Sequence, residues 1–93
     1  MRLEILSPVA VLFEGDVLSV SLPGIDGEFQ LLDHHAAIIT ALKAGELKLK
    51  LSGNPPEIET AVSFDGPDKS IGTYSIKGGV VEMADNRAVI LAE

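Results

Sequence analysis

Glu46-Leu47-Lys48-Leu49-Lys50-Leu51 alternates charge and leucine over six residues without a defect. Successive side chains of a strand point to opposite faces, so the three leucines line a core while Glu46, Lys48 and Lys50 face water. Such a segment belongs to a sheet with one wet face, and the flanking segments follow the same pattern. Before it, Gly45 interrupts the alternation. Ala36 to Leu42 then mixes Ala and Leu, which suit helices, with two Ile and a Thr, which suit strands. Strand is the reading favoured for that segment. After Leu51, Ser52 to Pro56 reads as a loop, because two consecutive prolines do not sit in a central strand.

Further along, Glu57 to Phe64 alternates in part, with Ile58 and Val62 on the inner side, and Asp65 to Ser70 is a second loop. Ile71 to Ile76 is a strand that runs into Lys77-Gly78-Gly79, whose glycines mark a tight turn or a close backbone approach. Val80 to Ala84 and Arg87 to Ala92 are strands joined by Asp85-Asn86, a pair suited to a two-residue hairpin turn. In the first third, Arg2 to Ser7 is a strand interrupted at Ser7-Pro8. Val9 to Phe13 is β-branched and aromatic, and Glu14-Gly15-Asp16 has turn composition. In the next strand Leu18, Val20 and Leu22 alternate with Val17, Ser19 and Ser21, and Pro23 is expected to end the ladder. Gly24 and Asp26-Gly27 provide a turn, Glu28 to Leu32 returns, and Asp33-His34-His35 leaves the strand. About ten short strands with almost no helical period indicate an all-β, two-sheet β-sandwich or flattened barrel forming a single domain over residues 1–93.

Composition narrows the function. An apolar content of 46% in 93 residues supports one core without cross-links. The absence of cysteine excludes disulfides, thiolate metal sites and a cysteine nucleophile, and fits a reducing compartment. With 14 acidic against 7 basic residues, the net charge of −7 opposes docking on nucleic acid or anionic lipid. No apolar run approaches membrane-spanning length and no signal-peptide profile opens the chain, so the expectation is a soluble, cytosolic protein without direct membrane insertion.

Candidate chemistry is sparse. His34-His35 invites a metal or general-base reading, yet adjacent strand residues point apart and no third ligand is spaced nearby. Hydrogen-bonded loop histidines are expected instead. Glu28 with Asp26 or Asp33 could act as paired carboxylates, but solvated turn charges account for them as well. No nucleotide, hydrolase or metalloprotease motif occurs, and neither a cofactor nor a catalytic residue is expected. A binding or structural role is favoured over catalysis.

Three stretches carry a resemblance: LEILSPVAVLFEGDV at the start, PGIDGEFQLLDHHAAIITALKAGELKL in the middle, and YSIKGGVVEMADNRAVILAE at the close. Together they are similar to the amino-terminal β-sandwich of the epsilon-subunit family of F-type ATP synthases. The central stretch resembles that family's PGxxGE(F/L/M)GIL(P)xHAPL signature. Ala37 and Gln30 depart from its usual Pro and Gly, and Asp33 from its usual Pro. The resemblance implies a non-catalytic rotor subunit of the central stalk that binds the gamma subunit and the c-ring and couples proton-driven rotation to ATP synthesis. It also implies a peripheral place at the cytoplasmic face of the bacterial inner membrane and a monomer when isolated. Matched position by position, the c-ring interface falls on Gly24, Asp26, Gly27, Glu28 and Gln30, and the gamma-subunit interface on Ser7 and His35. Asp26, Glu28 and Asp33 are expected to form an acidic foot. Family members usually continue into a pair of inhibitory helices. The expectation is that this chain has no such helical domain and no helix-mediated inhibition of ATP hydrolysis. The rival reading is a free-standing small β-sandwich ligand-binding module. Aromatic residues at 4% and the absence of Trp count against a sugar-binding version of it.

Overall fold

The computed structural model describes residues 1–53 and 60–93. Among the described residues seven strands form: β1 (Arg2–Leu6), β2 (Val11–Gly24), β3 (Gly27–Leu32), β4 (Ile38–Leu51), β5 (Ser63–Asp65), β6 (Ile71–Ala84) and β7 (Arg87–Ala92). They make one sheet in the order β1-β7-β6-β4-β2-β3, with β5 on β6, and a β1–β2 pairing closes it. Every pairing is antiparallel except β1 with β7. Of the strand expected over Glu57 to Phe64 only the end is seen, as part of β5. Asn54 to Pro56 of the expected loop and Ile58 lie outside the described residues.

The strand count differs from the expected ten for a geometric reason. β2, β4 and β6 each hold fourteen residues. At roughly 3.3 Å per residue a straight strand of that length would span about 46 Å, yet the longest dimension of the molecule is 32 Å. Each long strand therefore bends, and each changes its buried parity at the bend. β2 buries Phe13 and Val17, then Val20 and Leu22; β4 buries Leu42, then Leu47, Leu49 and Leu51; β6 buries Ile76, then Val81 and Met83. The two halves of each long strand thus serve two layers facing across one core, which makes a sandwich from a single closed sheet. Counted twice, the three long strands turn seven into the ten segments legible in the sequence. One layer runs from the first half of β2 through β1, β7 and the second half of β6 to the first half of β4. The other runs from β3 through the second halves of β2 and β4 to the first half of β6 and β5.

Three apparent breaks are corners rather than ends. Glu14, Gly15 and Asp16, expected as a turn, stay in the ladder opposite Glu4, Leu3 and Arg2. Gly45 lies inside β4, and Lys77-Gly78-Gly79 lies inside β6. Of the two readings left open for the glycine pair, close approach is the correct one at Gly79: a Cβ there would stand 2.2 Å from the Leu91 carbonyl oxygen on β7. Nor does Pro23 end its strand. It pairs with Glu28 and sits in the register shift between Ser21 and Gly24 on the β4 side, where a missing N–H removes no ladder bond. A second register shift, between Val17 and Ser19, inserts Leu18 as an extra residue. Val17 consequently points inward and Leu18 outward, the reverse of the expected alternation.

Elsewhere local chemistry decides. Asp85 and Asn86 adopt φ of 52° and 58° between the paired Ala84 and Arg87, the two left-handed positions of a type I′ hairpin turn. Ala36 to Leu42 resolves as strand from Ile38 onward, where Ile38 packs on the core and Ile39 faces out. The core is purely apolar among the described residues. Leu3, Ile5, Leu22, Leu31, Leu49 and Ile90 are among its fully buried side chains, each contributing about 1.5–3 kcal/mol of burial.

Candidate functional site

The residues expected to meet the c-ring form one structural unit. Gly24 and Gly27 close the β2–β3 hairpin around a two-residue loop, Ile25-Asp26. The loop is tied down by a hydrogen bond from the Ile25 N–H to the Ala41 carbonyl, 3.3 Å, so the tip leans on β4. Asp26, Glu28 and Gln30 are exposed. Glu28 stands between two open grooves. One, of about 430 Å³, runs under the tip past Phe29, Thr40 and Ala41, and the other, of about 470 Å³, passes Lys43, Glu46 and Lys48.

Asp33 does not join this tip. It lies beyond the opposite end of β3, where its carboxylate takes an ion pair and hydrogen bond from the Met1 ammonium. The acidic foot is therefore Asp26 and Glu28 without Asp33. The Met1 ammonium also donates to the Val17 carbonyl at 3.0 Å, and the His34 N–H donates to Asn86 Oδ1 at 2.7 Å. These bonds gather the amino terminus, the β3–β4 connection and the β6–β7 turn at one end of the sandwich. The hydrogen bond from the Met1 ammonium lowers the Asp33 pKa below the usual carboxylate value of 3.8; partial burial opposes the shift, and the charges of the ammonium and His34 and a hydrogen bond from Asn86 reinforce it.

A depressed folded-state pKa means that the unfolded chain takes up the proton first. The stabilisation from Asp33 is then complete above about pH 4 and lost as pH falls through the lowered pKa. Asp33→Asn is expected to flatten the dependence of melting temperature on pH in that acid window and to leave the slope near pH 7 unchanged. Melting curves recorded at a series of pH values test it. Because the carboxylate is half-exposed, the effect is modest.

The two residues expected to face gamma sit far apart. Ser7 is in the β1–β2 turn: its Oγ accepts from the Val9 and Ala10 N–H groups at 3.3 and 3.1 Å, and its own N–H donates to the Ala10 carbonyl. His35 follows the Asp33 cluster, its N–H donating to the Leu32 carbonyl and its Nδ1 paired with the Ala36 carbonyl at 2.7 Å. Ser7 adjoins the Leu6 end of β1, whereas the His35 connection docks at the end where the Arg2 N–H donates to the Asn86 carbonyl. Neither imidazole belongs to a cluster of three metal-ligating side chains among the described residues.

Between them lies a feature that sequence reasoning missed. Val11, Leu6, Leu91, Val80 and Ala41 are register partners in turn across β2, β1, β7, β6 and β4. Leu6 is half-buried and the other four are exposed, so an apolar row crosses the outer face of one layer, extended by Val9 and by Ile39, which is 70% exposed. On the same face the next row is mixed, with the acidic Glu14, Glu4 and Glu82 in register with Val89 and Ile39, and the charged Asp16, Arg2 and Arg87 lie beyond it. The available signal was the density of apolar residues in Val9 to Phe13 and Ala88 to Ala92, which leaves no polar face. The outer face of the other layer is polar, with Gln30, Ser21, Lys48 and Thr73 in register.

Comparison with known proteins gives a single family. A family model described as ATP synthase, Delta/Epsilon chain, beta-sandwich domain matches residues 1–64. The chain is 37% identical over 92 residues to an ATP synthase epsilon chain of Chlorobium limicola, covering 99% of this chain and 88% of that one. It is 36% identical over 93 residues to that of Sulfurimonas denitrificans, where it spans 60% of the relative's length. Among solved structures the fold matches a chain in the central stalk and c-ring of the Tetrahymena thermophila mitochondrial ATP synthase, with TM-score 0.73 at 18% identity over 99% of this chain and 62% of that one. A chain of the Euglena gracilis mitochondrial ATP synthase matches with TM-score 0.75 at 17% identity, over 97% of this chain and 48% of that one.

Proposed function

Since the chain belongs to the ATP synthase delta/epsilon family, as a β-sandwich of the epsilon chain, we propose that it is a non-catalytic subunit of the central stalk. It binds the gamma subunit with the apolar outer face and rests on the c-ring through the β2–β3 hairpin tip. By joining shaft to ring it couples proton-driven rotation to ATP synthesis. It works as a single domain at the cytoplasmic face of the bacterial inner membrane, held there by its partners. No helix among the described residues is long and apolar enough to cross a membrane.

The observation that carries this reading is the apolar row Val11-Leu6-Leu91-Val80-Ala41. Exposed apolar patches rimmed by charge mark interaction sites, because leaving them in water forgoes burial that a partner can supply. The hairpin tip differs in character. Its exposed Asp26 and Glu28 suit charge-guided seating on a polar surface, where electrostatics orients assembly more than it adds affinity. A part that carries torque must resist bending, and closure of the sheet together with a close-packed core provides that stiffness.

Binding of purified gamma subunit and of purified c-ring, measured separately, tests the assignment. Leu91→Asp puts a charge in the centre of the apolar row without touching the core. It is expected to weaken gamma binding by about a hundredfold and leave ring binding unchanged. Glu28→Lys should act mainly on the other partner, weakening ring binding by about tenfold and gamma binding by no more than about threefold. Both variants should melt with the unaltered protein. If both bind both partners as the unaltered chain does, the assignment of the two surfaces is wrong.

A further inference from the structure

The apolar row ends at an unfilled sheet edge. On one side β4 pairs with β6 from Ile38 to Lys50. On its other side the pairing with β2 stops at Gly24 opposite Leu42, and beyond it only the Ile25 N–H reaches across, to the Ala41 carbonyl. In an antiparallel pair the N–H and C=O of one residue point the same way and alternate in direction along the strand. Since the Ala41 carbonyl points away from β6, the N–H and C=O of Ile39 do too. Neither group of Ile39 then faces β6, and among the described residues Ile39 has no register partner on β2 and no loop hydrogen bond on that side.

This short edge has the parts of a strand-receiving site. Backbone donors and acceptors at a sheet edge supply affinity to an added strand, and recesses beside them select its side chains. One recess is the 430 Å³ groove under the hairpin tip, lined by Asp26, Glu28, Phe29 and Thr40; the other, of about 490 Å³, is lined by Ile38, Ile39, Glu82 and Met83. Three carboxylates and no Lys, Arg or His line the two. Charge complementarity therefore calls for an occupant with cationic side chains beside apolar ones. The Ile25–Ala41 bond blocks the edge toward Leu42, which limits the added strand to a few residues.

We propose that the β4 edge at Ile39 receives a short extended segment of the gamma subunit, bearing apolar and basic side chains, which joins the sheet as an additional strand. The proposal rests on gamma being the partner of the adjoining apolar face. It adds a directional contact that fixes the rotational setting of the sandwich on the shaft, which apolar burial alone does not.

The test uses the full chain and purified gamma subunit. Ile39→Pro removes the outward N–H and leaves the β6 ladder intact, because that donor faces away from β6. It is expected to lower gamma affinity about tenfold, whereas Ile39→Thr, which keeps the donor and the branched shape, stays within about threefold. In the unaltered chain the Ile39 amide should exchange its hydrogen quickly when free and slowly in the complex, a measurement that decides the matter even if the proline variant fails to fold. Affinity should also fall as salt is raised. An Ile39 amide that stays unprotected in a formed complex overturns strand addition alone, and a salt-insensitive affinity overturns the basic character of the segment. If the unaltered chain fails to bind gamma, the partner reading falls and this proposal with it.

Discussion

Gly79→Ala is expected to remove a large part of the stability of the domain. The added Cβ would lie 2.2 Å from the Leu91 carbonyl oxygen and 3.2 Å from its carbon, and the backbone there has φ of 157°. Both obstructing atoms belong to the main chain of β7, so no side-chain rotation relieves the clash. β6 and β7 must separate, which breaks the ladder at Gly79–Ala92 and Val80–Leu91. Steric overlap and backbone strain together place the cost at about 3–5 kcal/mol, against a total of about 5–14 kcal/mol for a chain of this size. Gly27→Ala separates the two causes. Gly27 also has positive φ, 128°, but nothing lies within 4 Å of the point its Cβ would occupy, so it should lose only the strain, about 1 kcal/mol. Urea unfolding of the two variants beside the unaltered chain gives the comparison. Equal losses would mean that the β6–β7 approach is not as close as described.

Val17→Asp and Leu18→Asp should differ as sharply, though the residues are neighbours of similar character. Val17 is 0% exposed and Leu18 is 45% exposed. A carboxylate at Val17 enters an apolar core with no partner, which costs several kcal/mol and is expected to leave the chain unfolded at 25 °C. At Leu18 the carboxylate stands in water, and the loss should be about 1 kcal/mol or less. Thermal melts followed by far-ultraviolet circular dichroism read both. A chain that tolerates Val17→Asp and unfolds with Leu18→Asp would restore the simple Leu18, Val20, Leu22 alternation and remove the bulge.

These two variants mark where sequence reading and structure part. Period-two alternation is a local property, so Glu46 to Leu51 and the Asp85-Asn86 turn could be read directly from residue type. The bulge at Leu18 is not local. It exists because β2 must pair with β1 in its first half and with β3 and β4 in its second, and one surplus residue absorbs the change of direction. Glycines and turn-forming residues at the other corners look like chain reversals for the same reason: a bend inside a strand and a break between strands need similar residues.

At the hairpin tip, the grouping of Gly24, Asp26, Gly27 and Glu28 followed from short-range turn chemistry, and the structure keeps them together. Asp33 looked like a member because it is close in sequence, yet six residues of extended β3 carry it to the far end, where the Met1 ammonium holds it. The apolar row was hidden because its five members come from five strands and are aligned only by register.

Residue order by itself determined that the chain is all-β, where most of the ten strand segments lie, and which short turns join several of them, since each depends on neighbours a few residues apart. Tertiary structure alone decided that six of those segments are halves of three bent strands, that Val17 rather than Leu18 enters the core, and that the exposed row forms beside an open β4 edge. Those features depend on strand pairing between residues distant in sequence, and a closed sheet sets all its registers at once.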